Sequence, residues 1–124
     1  MIVLDTSVLI EALGAGGSMR KEFRRAIASG HRMVVPALVL YEWLRGPRLE
    51  AELAVQEAVL PSAGALPFGP DEAGAAAGLY RRLPRARGRE IDIAIAACAM
   101  SWHASLWTLN PDDFADIPGL RLFS

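Results

Sequence analysis

From Ile91 to Trp102 the chain carries one charge, Asp92, and is apolar nearly all the way round a helix. A helix with no polar face has to be buried on several sides. Its uncharged apolar run, Ile93 to Met100, is eight residues, far short of a membrane span. Around it lie short apolar or nearly apolar runs, Met1 to Leu4, Arg32 to Val35 and Ser105 to Thr108, of strand length. Strands of this kind, separated by helical crossovers, predict an α/β fold with a parallel sheet, both faces covered.

The helices between them are punctuated by turn and cap residues. Val8 to Leu13 is stopped by the glycines from Gly14 to Gly17, and Ser18 is placed to cap the next helix. That helix puts Met19, Phe23, Ala26 and Ile27 on one face and ends at Gly30, where a left-handed residue is usual. Pro36 suits the first turn of a helix running to Arg45, and Leu49 to Leu60 is a further helix. Asp71 is expected to cap a helix to Leu83, with Ala73, Ala76, Ala77 and Tyr80 on one face. Two more short strands are expected, at Ala65 to Phe68 and Arg121 to Phe123. No repeat or linker divides the chain, so 1–124 reads as one domain.

Composition narrows the function by exclusion. Hydrophobic residues make up 52% of the 124, enough for a core and too many for a disordered chain. Thirteen basic residues against fourteen acidic leave a net charge of −1, so a nucleic-acid partner has to be argued from local clusters. Cys98 is the single cysteine, which excludes an internal disulfide and a Cys-x-x-Cys zinc site. Asp5 interrupts the N-terminal apolar run before a signal peptide can form, and a cytoplasmic protein is the simplest expectation.

In an open parallel sheet, ligands bind beyond the carboxyl ends of the strands. Asp5 follows the first strand, and Asn110 and Asp113 follow the strand ending at Thr108. Asp92 falls in the first turn of the buried helix, where the helix dipole favours an anion. Glu42 stands among Val39, Leu40, Tyr41, Trp43 and Leu44, where a purely structural carboxylate is costly. Each acid also has a plain reading: a helix cap for Asp5, a dipole partner for Asp92, a turn residue for Asp113. Together they would repel one another unless a cation neutralised them, and all-oxygen ligands point to Mg²⁺ or Mn²⁺.

The segments IVLDTSVLIEAL, VVPALVLYEWLRG, LPFGPDEAGAAAGLYRRL, IDIAIAACA and LWTLNPDDFADIPGLRLF occur in an order and spacing similar to the PIN domain, and within it to VapC-type toxins. The resemblance runs almost end to end. It implies a three-layer α/β/α domain with a parallel sheet of about five strands and a Mg²⁺-dependent ribonuclease, with Mn²⁺ as a substitute. It also implies a homodimer and a VapB-like antitoxin whose C-terminal segment covers the acidic site. Carried onto this chain, the family acids fall on Asp5, Glu42 and Asp92, with Asp5 and Asp92 as metal ligands. Many relatives place a fourth acid where this chain has Asn110, so either Asp113 supplies that carboxylate or the site works with three. Thr6, Ser7 and Thr108 match small hydroxyl positions lining such a site, although capping and strand packing explain them equally well.

Arg81, Arg82, Arg85, Arg87 and Arg89 crowd into nine residues just before Asp92. Read singly they are a solvated helix end; as a cluster, Arg85, Arg87 and Arg89 are candidates for holding an RNA backbone. Trp43, Trp102 and Trp107 read as core rather than as stacking platforms, and His31 and His103 as surface or structural residues without partners. Two rival functions stay open. One is a PIN-like module that binds RNA or a partner without cutting. The other is an aspartate-dependent phosphatase, which wants a second Asp where Ser7 stands.

Overall fold

The structure, a computed structural model, describes residues 1–124. The strands are β1 (Ile2–Leu4), β2 (Met33–Val34) and β3 (Ser105–Trp107), all parallel, in the order β2-β1-β3. Val3 pairs with Val34 on one side and with Leu106 on the other. The three β1 residues are at most 2% exposed, so helices cover both faces of the sheet, as its unbroken apolar sequence requires.

Six helices make up the rest: α1 (Thr6–Leu13), α2 (Arg20–Ala28), α3 (Ala37–Leu44), α4 (Glu50–Val59), α5 (Pro70–Arg82) and α6 (Glu90–Ser101). Single 3₁₀ turns occupy Ser62–Gly64 and Pro111–Asp113. In α6 every residue from Ile93 to Ala99 is buried, and four of the seven are alanines that let α5 pack close against it. Thirty buried residues form one hydrophobic core, with Trp43 fully enclosed.

The expected sheet of about five strands is reduced to three. Leu66 and Leu122 do extend it in parallel, but each through a single bridge, to Pro36 and Leu106 respectively. At Leu66 the partner segment runs out: its amide donates to Val35 and its carbonyl accepts from Ala37, where α3 begins and the ladder can go no further.

Two caps also differ. Ser18 does not cap α2; its hydroxyl donates to Glu11 Oε2 at 2.6 Å, and Met19 holds the cap position without a side-chain bond. Asp71 lies inside α5, whose cap is Gly69, with Glu72 Oε1 accepting from the Gly69 amide at 2.8 Å. The buried face of α5 is Ala76 and Leu79, and Ala73, Ala77 and Tyr80 are exposed, as is Ile27 on α2. Gly30 has φ +89°, as its place at the end of α2 predicts. Trp43 and Trp107 are core, whereas Trp102 is 45% exposed. Both histidines are exposed.

Candidate active site

The register of β1 and β3 builds the centre of the site. Leu4 pairs with Trp107, so Asp5 and Thr108 leave the sheet side by side at its carboxyl end, and the Asp5 amide donates to the Trp107 carbonyl at 2.9 Å. Thr108 Oγ1 then donates to Asp5 Oδ2 at 2.7 Å, and Ser7 Oγ donates to the same oxygen at 3.0 Å. Asp5 Oδ1 accepts from the Thr6 amide at 2.8 Å. Asp5, 6% exposed, is thus both the cap of α1 and a buried carboxylate beyond the strand end.

The two hydroxyls have fixed polarity. Ser7 Oγ accepts from the Leu109 amide at 3.1 Å and Thr108 Oγ1 from the Asn110 amide at 3.0 Å. Each hydroxyl proton is therefore aimed at Asp5, and the chain after β3 is stapled to the first turn of α1.

Glu42 reaches the same region from α3. Its Oε1 accepts from Thr6 Oγ1 at 2.6 Å and its Oε2 pairs with Arg45 Nη2 at 3.5 Å. Asp92, half-buried in the first turn of α6, is held above the ordinary aspartate range by burial first. The negative charges of Asp5, Asp113 and Glu42 add to the rise, and Arg89 partly opposes it. Carboxylates from three other stretches of chain thus bear on Asp92. Asn110 and Asp113 are both exposed, and the Asn110 side chain makes no hydrogen bond.

No three of these acids stand close enough to form a closed ligand set. The donor chemistry nevertheless fits a hard divalent cation. All the donors are oxygens, and Asp92, raised by burial and then by the charges of the other acids, is a group that a positive ion would bring back down. Mg²⁺ keeps several waters and takes as few as one or two carboxylates, so an open site suits it. Cys98 offers no alternative nucleophile: burial, with Glu72 nearby, pushes its thiol up to about 11.

The basic loop splits in two. Arg85 and Arg87 are exposed, whereas Arg89 turns inward to Asp116, with Nη2–Oδ1 at 2.7 Å and Nη1–Oδ2 at 2.9 Å. Sequence reasoning missed Arg45 and Asp116. The i, i+3 spacing of Glu42 and Arg45 is a readable signal on a helix. Asp116 is 27 positions from Arg89, and nothing local marks the pair.

Comparison with family models matches the PIN domain over residues 2–120. Comparison with curated proteins found no match. Among solved structures, the chain is similar to one in DNA-bound VapBC from Salmonella typhimurium, with TM-score 0.77 and 25% identity over 98% of this chain and 96% of that one. A chain of the VapBC-5 toxin–antitoxin system from Mycobacterium tuberculosis gives 29% identity and TM-score 0.59, covering 97% of both. DNA-bound VapBC2 from Rickettsia felis gives TM-score 0.77 at 22% identity, over 99% of this chain and 98% of that one. The family match spans nearly all of the sequence, and the fold agrees with it. The chain belongs to the PIN domain family.

Proposed function

We propose that this chain is a metal-dependent endoribonuclease and the toxin of a VapBC-type pair. The observation that carries the reading is geometric: Asp5 is held at the carboxyl end of the sheet by Thr108 and Ser7, and Thr6 in the same turn holds Glu42. Burial and then the charges of Asp5, Asp113 and Glu42 raise Asp92. A divalent ion at this centre would supply an activated water and relieve charge on the phosphoryl oxygens. Asp5 and Asp92 are its ligands in this reading. Glu42, already a hydrogen-bond acceptor from Thr6, and Asp113 complete the set and orient the attacking water. Thr6, Ser7 and Thr108 hold the acids in place.

RNA is a polyanion that four carboxylates would repel, and the exposed Arg85 and Arg87 beside the site are placed to offset that. Replacing both with Glu should weaken RNA binding and flatten its salt dependence, while leaving metal binding intact.

The similar chains come from toxin–antitoxin complexes, which supports a VapB-like antitoxin as partner. A homodimer is supported by the outer faces of α3 and α4, where Tyr41, Leu44, Leu49, Val55 and Val59 are exposed. No helix is long and apolar enough to cross a membrane, and a cytoplasmic RNA target fits the reading. Purified protein should cleave structured RNA in Mg²⁺ or Mn²⁺ and stop in EDTA. Its expression alone should arrest growth, relieved by the antitoxin. Asn110 favours one second reading, a module that binds without cutting; tight RNA binding with no cleavage in either metal would select it.

A further inference from the structure

Arg89 is the last residue before α6, and its guanidinium reaches across to the turn that carries Asp113. Nη1 donates to Asp116 Oδ2 at 2.9 Å and to the Arg85 carbonyl at 3.1 Å. Nη2 donates to Asp116 Oδ1 at 2.7 Å and to the Asp113 carbonyl at 2.8 Å. A guanidinium has five N–H donors, and these contacts use four of them. Only Nε–H is left, too few for the forked contact by which Arg grips a phosphate. The Arg89 side chain is also only 21% exposed. Arg89 therefore differs in kind from Arg85 and Arg87.

What it grips matters more than what it lacks. The turn Pro111–Asp113 is closed by its own backbone, with the Asp113 amide donating to the Asn110 carbonyl at 3.0 Å and the Phe114 amide to Pro111 at 3.1 Å. Its other tether is the Asn110 amide on Thr108. Arg89 supplies the hold at the far end, and it is joined directly to the helix whose first turn carries Asp92. Its charge lies within reach of both Asp92 and Asp113.

We propose that Arg89 is a positioning residue. With Asp116 it clamps the Asp113 turn onto the start of α6 and sets where Asp113 stands relative to Asp92. The inference rests on the nuclease reading for its consequence, since Asp113 matters there as a fourth carboxylate, but the clamp itself does not depend on metal.

The test uses Arg89→Gln, Arg89→Lys and Asp116→Asn in the full chain, with two measurements. Amide hydrogen exchange in metal-free protein should speed up at Asp113 and Phe114 by at least about fivefold in all three variants, because each loses part of the charge-assisted fork. Mn²⁺ affinity, read by electron paramagnetic resonance of the free ion, should fall by about tenfold, the usual scale for losing a residue that orients a ligand. Lys keeps the charge and not the fork, so it should fail to rescue. Unchanged exchange at Asp113 and Phe114 overturns the clamp whatever the metal does. Asp116→Asn with wild-type Mn²⁺ affinity and tighter RNA binding overturns it too, showing that Arg89 is an RNA contact held in reserve. Faster exchange in variants of a protein that binds no Mn²⁺ even as wild type supports the clamp and removes the nuclease reading instead.

Discussion

Asp92 is the residue at which the conflict between folding and function is most visible. Burial and three neighbouring carboxylates raise it above an unfolded aspartate, so its charge destabilises the metal-free fold at neutral pH. That penalty shrinks as pH falls through the raised pKa, because the folded protein then takes up a proton before the unfolded chain does. Asp92→Asn should raise the melting temperature at pH 7 in chelator by a few degrees. The gap should close by about pH 4, where a free aspartate also becomes protonated. A gap that widens on acidification would contradict this. The neighbouring question is which residue completes the site. Asp113 is the one whose charge acts on Asp92, so Asp113→Asn should weaken Mn²⁺ binding more than Asn110→Ala does. The reverse order would return Asp113 to the role of a turn residue before Phe114. The positions of Asp5 and Asp92 were legible in the sequence, because one follows a strand and the other opens the buried helix. Glu42, expected among apolar neighbours, instead lies partly exposed between the exposed Tyr41 and Leu44. The inward turn of Arg89 was not legible, since its partner Asp116 is remote in sequence.

At the scale of elements, strands and helices were readable wherever one periodicity dominated. The apolar runs of β1 and β3 and the all-round apolar α6 left no alternative placement. Caps were harder, because several polar side chains compete for the same amides. Ser18 is taken by Glu11 from the preceding helix, and Glu72 reaches Gly69 where Asp71 does not. The outer strands failed for a different reason: one register pair to a neighbour satisfies Leu66 and Leu122, and a run of apolar residues cannot show that. The staple between α1 and the chain after β3 makes a prediction of its own. Thr108→Val should cost about 1–3 kcal/mol in urea unfolding, since it removes a donor from Asp5 and an acceptor from the Asn110 amide. Thr108→Ser, keeping the hydroxyl, should cost much less. Equal losses from the two would mean that the methyl group, not the hydrogen bonds, carries the effect.

For the molecule as a whole, the proposed function would bring two things from outside to a near-neutral chain whose acids gather at one edge. One is a cation at that edge. The other is cover for apolar surface on α3 and α4, where Tyr41 is 58% and Leu49 68% exposed. Light scattering should give a dimer at micromolar concentration, and Tyr41→Glu with Leu44→Glu should give a folded monomer. A wild-type monomer would remove the dimer and leave the site untouched. The central claim concerns the acidic edge, and single-turnover cleavage of a structured RNA tests it most directly. In Mg²⁺ the wild type should cut, while Asp5→Asn and Asp92→Asn, with unchanged circular dichroism, should be slower by at least about 100-fold. Cleavage by the wild type in EDTA, or by Asp92→Asn at the wild-type rate, would contradict the account.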